Sequence, residues 1–200
     1  MPPNPVLLIH GIGDTAAVFR RMQRYLEEHG LRVHSFDLVP NDGSSSLTLL
    51  AGQLDAYVRS TFADGETIDL VGFSMGGLIS RWYLQRLGGM ERVRRFVSIA
   101  TPHQGTWMAY LRRNPGAREM RPGSAFLADL NRDIDSLGGA SFTSIWTPLD
   151  LMIVPATSSR APNARSVITW VAAHPLMTRD ARVLREVLRT LTGEDGPGKR

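Results

Sequence analysis

Six short runs enriched in branched and aromatic residues recur along this chain, at residues 6–9, 32–38, 67–73, 93–100, 144–149 and 166–171. Apolar residues at helical spacing fill most of the intervals between them. This alternation constrains the fold more than any other feature. A strand that leads into a helix pairs most readily with a parallel neighbour, and a parallel sheet must be covered on both faces. The expectation is a single-domain α/β protein built on a mostly parallel, doubly wound sheet of about six strands. Helices are expected over residues 16–29, where Val18, Phe19, Met22, Tyr25 and Leu26 form one stripe that Gly30 ends, and over 47–62, 76–87 and 179–191. Residues 105–140 break the pattern. They hold turns at Asn114-Pro115-Gly116 and Arg121-Pro122-Gly123-Ser124 and a short helical pattern over 124–130, and are read as an excursion from the same domain. With 200 residues, of which 42% are hydrophobic and 21% charged, the chain suits one well-buried core. The domain is placed at residues 1–192, with 193–200 as a flexible tail.

Composition narrows the function by exclusion. Cysteine is absent, which rules out disulfides and thiolate metal ligands. The formal charge is +4, but the basic residues are nearly all arginine, dispersed from Arg20 to Arg189 and often beside Glu or Asp. The densest groups, Arg92-Val93-Arg94-Arg95 and Arg112-Arg113, lack interleaved aromatics, so they read as solvated faces and no nucleic-acid partner is expected. No stretch reaches the roughly 18 apolar residues of a membrane span. The start, Met1-Pro2-Pro3-Asn4-Pro5, runs straight into a strand without the basic and long apolar segments of a secretory signal, which suits a cytoplasmic protein or a processed secreted one. A monomer is expected.

The chemistry centres on Gly72-Phe73-Ser74-Met75-Gly76, which lies between a strand pattern and a helix pattern. That context is the requirement of a nucleophile elbow, in which a serine projects from a tight strand-to-helix turn and the glycines permit close approach. A serine hydroxyl needs a base, and the base needs a partner that fixes its tautomer. Of five histidines, His29 sits at a helix end and His34 within a strand, so both read as structural. His10, His103 and His174 each follow a strand and compete for the role. The order of elbow hydrolases, serine then acid then histidine, favours His174. Asp150, which ends the run 144–149, is the preferred acid over Asp129, Asp133 and Asp135, which belong to the excursion. Two backbone N–H groups must face the developing oxyanion. Met75, after the nucleophile, supplies one, and Ile12, in the loop His10-Gly11-Ile12-Gly13-Asp14, the other.

In these four segments, taken in order, the chain resembles the lipase and esterase branch of the α/β-hydrolase family, and in particular small bacterial lipases without a large cap domain. The segments are Asn4-Pro5-Val6 through Gly13, Gly72 through Gly77, Asp150 within Leu149-Asp150-Leu151-Met152-Ile153-Val154, and His174. The resemblance implies a serine hydrolase acting on carboxylic esters of lipid or acyl type, through a triad of Ser74, Asp150 and His174 and an oxyanion hole at Ile12 and Met75. An acyltransferase or thioesterase using the same triad, or a non-catalytic protein of the same fold, are the alternatives. The segment Thr101-Pro102-His103-Gln104-Gly105-Thr106 looks like one that shapes the site in many bacterial lipases. Substrate contacts are assigned to His10, Gly11, His103 and Trp107. The excursion is longer than a compact member needs and is a candidate partial lid. Trp107, Met108, Tyr110 and Leu111 at its start either pack on the sheet or form an apolar patch suited to transient contact with lipid. No acidic cluster maps onto the calcium site of larger bacterial lipases, so neither metal nor cofactor is expected.

Overall fold

The computed structural model describes residues 3–193. Of the tail expected at 193–200 only Gly193 is described, and it caps the last helix with its amide donating to the Arg189 carbonyl. The rest lies outside the described residues. Strand β1 (Val6–Ile9) leads through a 3-10 turn (Ala16–Phe19) into helix α1 (Arg20–Glu28) and strand β2 (Val33–Ser35). Helix α2 (Leu47–Thr61) returns the chain to β3 (Ile68–Phe73), and α3 (Met75–Arg86) carries it on to β4 (Val93–Ile99). Helices α4 (Pro115–Glu119) and α5 (Ala125–Arg132) precede β5 (Ser141–Trp146), and α6 (Ala181–Thr192) follows β6 (Arg165–Ile168). The strands form one sheet in the order β2-β1-β3-β4-β5-β6, and every neighbouring pair is parallel. This is the doubly wound, six-stranded architecture that the alternation predicts.

Side-chain period two divides the core. Leu7 and Ile9 of β1 and Ile68 and Leu70 of β3 face α2 and α3, joined by Leu50, Leu54, Leu78 and Ile79. Val6, Leu8, Val71 and Phe73 face the other way, against Met22 and Leu26 of α1 and Val183 and Val187 of α6. Because α1 and α2 lie on opposite faces, the winding reverses between β1 and β3. A crevice therefore opens at the carboxyl ends of these two strands, the position at which such sheets bind ligands.

Three strands are displaced from, or shorter than, their sequence expectation, each for want of a partner. β2 stops at Ser35, paired with Leu8, because β1 ends one residue later. β5 runs three residues earlier than expected and stops before Pro148, which could not donate to the ladder. β6 follows suit, its last pair being Trp146 with Ile168.

The excursion divides in two. Its second half is bolted to α3. Arg86 bridges Asp129 and Asp133, both at 2.8 Å, and the two carboxylates hold its guanidinium well above the ordinary range. The fully buried Arg81 donates to the Leu130 carbonyl at 2.7 Å and to Asn131 Oδ1 at 3.0 Å. Lacking a carboxylate in contact, it is pushed down by burial to about 10. Leu127, Leu130 and Leu137 enter the core. The first half, through Met120, stays at the carboxyl end of the sheet.

Candidate active site

Ser74 follows β3 with φ 53° and ψ −123°, a left-handed conformation that few non-glycine residues adopt. The turn is packed too closely for a side chain at the positions two residues to either side. A Cβ on Gly72 would meet the Gly77 backbone at 2.6 Å, and one on Gly76 would stand 2.5 Å from the His10 carbonyl oxygen. The Ser74 amide donates to the Ile99 carbonyl at 2.8 Å, which ties the elbow to β4. Ser74 is also the N-cap residue of α3, where a serine would ordinarily accept a backbone N–H bond, yet its hydroxyl makes no capping bond. Met75 opens the helix. Its amide belongs to the first turn, which has no intrahelical acceptor, and the helix dipole adds positive potential there.

His174 lies in the loop after β6 and is 8% exposed. Its Nδ1 is 2.7 Å from Asp150 Oδ2, a hydrogen bond that fixes the orientation of the ring. The other carboxylate oxygen, Oδ1, accepts from the Met152 and Ile153 amides at 2.8 and 2.9 Å, so both oxygens are held in place. Nε2 lies on the opposite edge of the ring. Phe73 stacks obliquely on the imidazole with centroids 4.8 Å apart. The Asp150 and His174 loops are joined by Thr147, whose hydroxyl donates to the Val171 carbonyl at 2.7 Å and accepts from the Leu149 amide at 3.2 Å.

Ser74 and His174 line one cavity of about 220 Å³, together with Ile12 and Asp14 from the β1 loop. Its far wall is apolar: Met108, Met120, Met152 and Ile153. Arg112 stands among the lining residues as the cation. Burial pushes the Asp14 carboxyl up, opposed by the nearby His10 and His174. The β1 loop is held by Asn41, whose carbonyl accepts from the Gly13 amide at 2.7 Å and whose side chain donates to the Asp14 carbonyl.

Other expected contacts fall elsewhere. His10 is fully buried and turned from the cavity. It accepts the Leu38 amide at Nε2, 2.9 Å, so the ring is the Nδ1–H tautomer that donates to the Gly11 carbonyl at 2.9 Å. It shapes the loop rather than touching a ligand. His103 is likewise fully buried. Its Nε2 lies 2.9 Å from Ser98 Oγ and its Nδ1 faces Arg81 at 3.5 Å, and burial with that like charge holds the imidazole well below its ordinary range. Trp107 is 57% exposed and outside the cavity lining, stacked on Tyr110. Gly11 stays close: a Cβ there would meet Ser74 Cβ at 3.0 Å, so a larger residue would press on Ser74.

The sequence places Thr106 only within a segment that shapes the site, reads Arg112 as part of a solvated face, and assigns nothing to Thr147 or to the Asp14 side chain. Thr106 fastens the excursion to the Asp150 loop, donating to the Met152 carbonyl at 2.8 Å and accepting from the Val154 amide at 2.9 Å. A threonine just before an apolar run is a capping signal, and Thr106 does accept from Met108. Asp14 and Arg112 carry no such local signal. Among the described residues no group of three His, Asp or Glu side chains is placed to hold a metal, and no helix is long and apolar enough to cross a membrane.

The α/β-hydrolase fold family matches residues 4–174, so the chain belongs to that family. Among solved structures it is similar to the mature lipase BlEst2 of Bacillus licheniformis, with a TM-score of 0.73, 16% identity, and 94% and 92% of the two chains covered. A lipase-esterase related protein from Clostridium acetobutylicum superimposes with a TM-score of 0.68 at 19% identity, covering 94% of each chain. These likenesses are of fold. In sequence, a stretch of 110 residues is 31% identical to the lysosomal thioesterase PPT2 of Mus musculus, covering 52% of this chain. The match spans 35% of that protein's length.

Proposed function

We propose that the protein is a serine hydrolase that cleaves carboxylic esters of lipid or acyl type through an acyl-enzyme intermediate. The observation that carries this reading is a left-handed Ser74, spared from capping its helix, in one cavity with a His174 whose Nδ1 is 2.7 Å from Asp150. Asp150 keeps the proton on Nδ1, which leaves Nε2 as the base. His174 takes the hydroxyl proton as Ser74 Oγ attacks the ester carbonyl, and the Ile12 and Met75 amides receive the oxyanion. The tetrahedral intermediate collapses, and the C–O bond breaks as His174 returns the proton to the departing alcohol. Water, deprotonated by the same nitrogen, then attacks the acyl carbon. The bond to Ser74 Oγ breaks as His174 returns that proton to Oγ, which frees the acid and restores the serine. All of these steps use groups of one chain, which suits a monomer. The methionine-lined wall receives the acyl chain, and residues 106–120 act as its partial lid.

Ser74→Ala removes the nucleophile. Hydrolysis of a soluble p-nitrophenyl butyrate should fall by roughly four to six orders of magnitude with the circular-dichroism spectrum unchanged. A folded variant that kept most of its turnover would sink the assignment.

A second reading, thioester hydrolysis, is favoured by the 31% identical stretch shared with a lysosomal thioesterase. The triad fixes the nucleophile and not the leaving group. Comparing kcat/KM for an ester and a thioester of the same acyl chain, with water and with added alcohol as acceptor, separates hydrolase, thioesterase and acyltransferase.

A further inference from the structure

The exposed large apolar side chains of this molecule are not scattered. All eleven described ones, from Val39 to Leu176, lie at or beyond the carboxyl end of a strand or in the first turn of α2, and in a parallel sheet those positions share one end of the molecule. Singly exposed apolar residues need no explanation, whereas a collection on one face marks an interaction surface. The most exposed are Leu151 at 79% and Leu111 at 76%. Their segments are fastened together, the Trp107 amide donating to the Val154 carbonyl at 2.9 Å beside the two Thr106 bonds. The patch is continuous with the catalytic cavity, since Met152 is both 46% exposed and part of its lining.

Charge on the same segment has one sign. Between residues 105 and 123 stand Arg112, Arg113, Arg118 and Arg121 against the single carboxylate Glu119, which is half-buried and accepts the Leu47 amide at 2.5 Å. Arg121 lies over the Tyr110 ring at 4.7 Å, and the exposed Asp42 faces Arg112, while Arg113 and Arg118 are exposed on the segment that carries Trp107, Tyr110 and Leu111. Aromatic and aliphatic side chains flanked by guanidinium groups match an interface that offers hydrocarbon beneath a layer of phosphate.

We propose that this face docks on the surface of an anionic phospholipid bilayer, with the cavity mouth against the membrane. The inference rests on the ester-hydrolase reading, for which it names the physical state of the substrate. Binding is nevertheless measured without turnover.

The experiment is co-sedimentation of the full chain with vesicles of phosphatidylcholine, with and without phosphatidylglycerol, alongside hydrolysis of soluble p-nitrophenyl butyrate. Wild type should bind the phosphatidylglycerol vesicles more tightly, and added salt should release it. The double substitution Leu111→Ser and Leu151→Ser, neither residue lining the cavity, should weaken binding more than about tenfold. Arg113→Gln and Arg118→Gln should each cost about fivefold on phosphatidylglycerol vesicles and little on phosphatidylcholine alone. The circular-dichroism spectrum and melting temperature should be unchanged in all of these variants, so that the loss is one of docking and not of folding. Wild type that turns over butyrate but binds neither vesicle overturns the docking and leaves the hydrolase reading standing. Wild type that docks and hydrolyses no ester does the reverse. Equal binding to the two vesicles overturns the anionic preference, and a wild-type dimer that dissociates on the leucine substitutions makes the face a contact between copies instead.

Discussion

His103 and His174 both follow strand ends, both are nearly withdrawn from solvent, and both are hydrogen-bonded, yet their neighbours give them opposite characters. Behind β4, the imidazole of His103 meets the Arg81 guanidinium, and a second positive charge there is disfavoured twice, by burial and by repulsion. Behind β6, His174 meets instead the Asp150 carboxylate, 2.7 Å from its Nδ1. Burial alone does not make a general base. The sign of the nearest charge separates a group that can cycle a proton from one that holds a wall in place.

The largest effect that could break this contrast is on turnover. His174→Gln should lower kcat on a soluble ester by roughly three to five orders of magnitude, while His103→Gln stays within about tenfold of wild type. Comparable losses in the two variants would mean that burial, not the neighbouring charge, decides the role. A smaller effect appears in stability. The folded pKa of His103 lies below the ordinary value of 6.5, so beneath that pH the unfolded chain binds more protons than the folded one. Stability is fully present above pH 6.5 and is lost as pH falls toward the folded pKa. This one group contributes a slope of at most about 1.4 kcal/mol per pH unit. His34, also lowered by burial, adds to it in the same direction. Urea denaturation across this range should show a shallower decline for His103→Gln, and identical slopes would refute the assignment. The smallest effect tests the cavity. The raised pKa of Asp14 means that its protonated form is favoured by folding, a contribution present below 3.8 and lost as pH rises through the folded value. Asp14→Asn should therefore melt slightly above wild type at pH 7, with the difference vanishing below pH 3.8.

Much of this arrangement was legible in the chain because it is local. The strand and helix patterns set the sheet, and the pentapeptide at Ser74 placed the elbow between β3 and α3. Asp150 and His174 could be named from their places after strand patterns, and the fold brings them to 2.7 Å. What was not legible depends on partners distant in sequence. No local signal says that His10 spends both ring nitrogens on the backbone, one of them on Leu38. The same holds for Arg81 reaching 49 residues to Leu130, which turns half of the excursion from a lid into part of the core. The strand ends erred for a related reason, since a ladder stops where its neighbour stops.

The backbone at Ser74 has a bearing on how such a chain persists over generations. A non-glycine residue held at φ 53° costs on the order of 1–3 kcal/mol, a substantial share of the net stability of a small domain. A lineage kept only for its shape would drift to glycine at this position and gain that margin. The sheet's shape alone does not require a side chain here, so Ser74→Gly should be more stable than wild type.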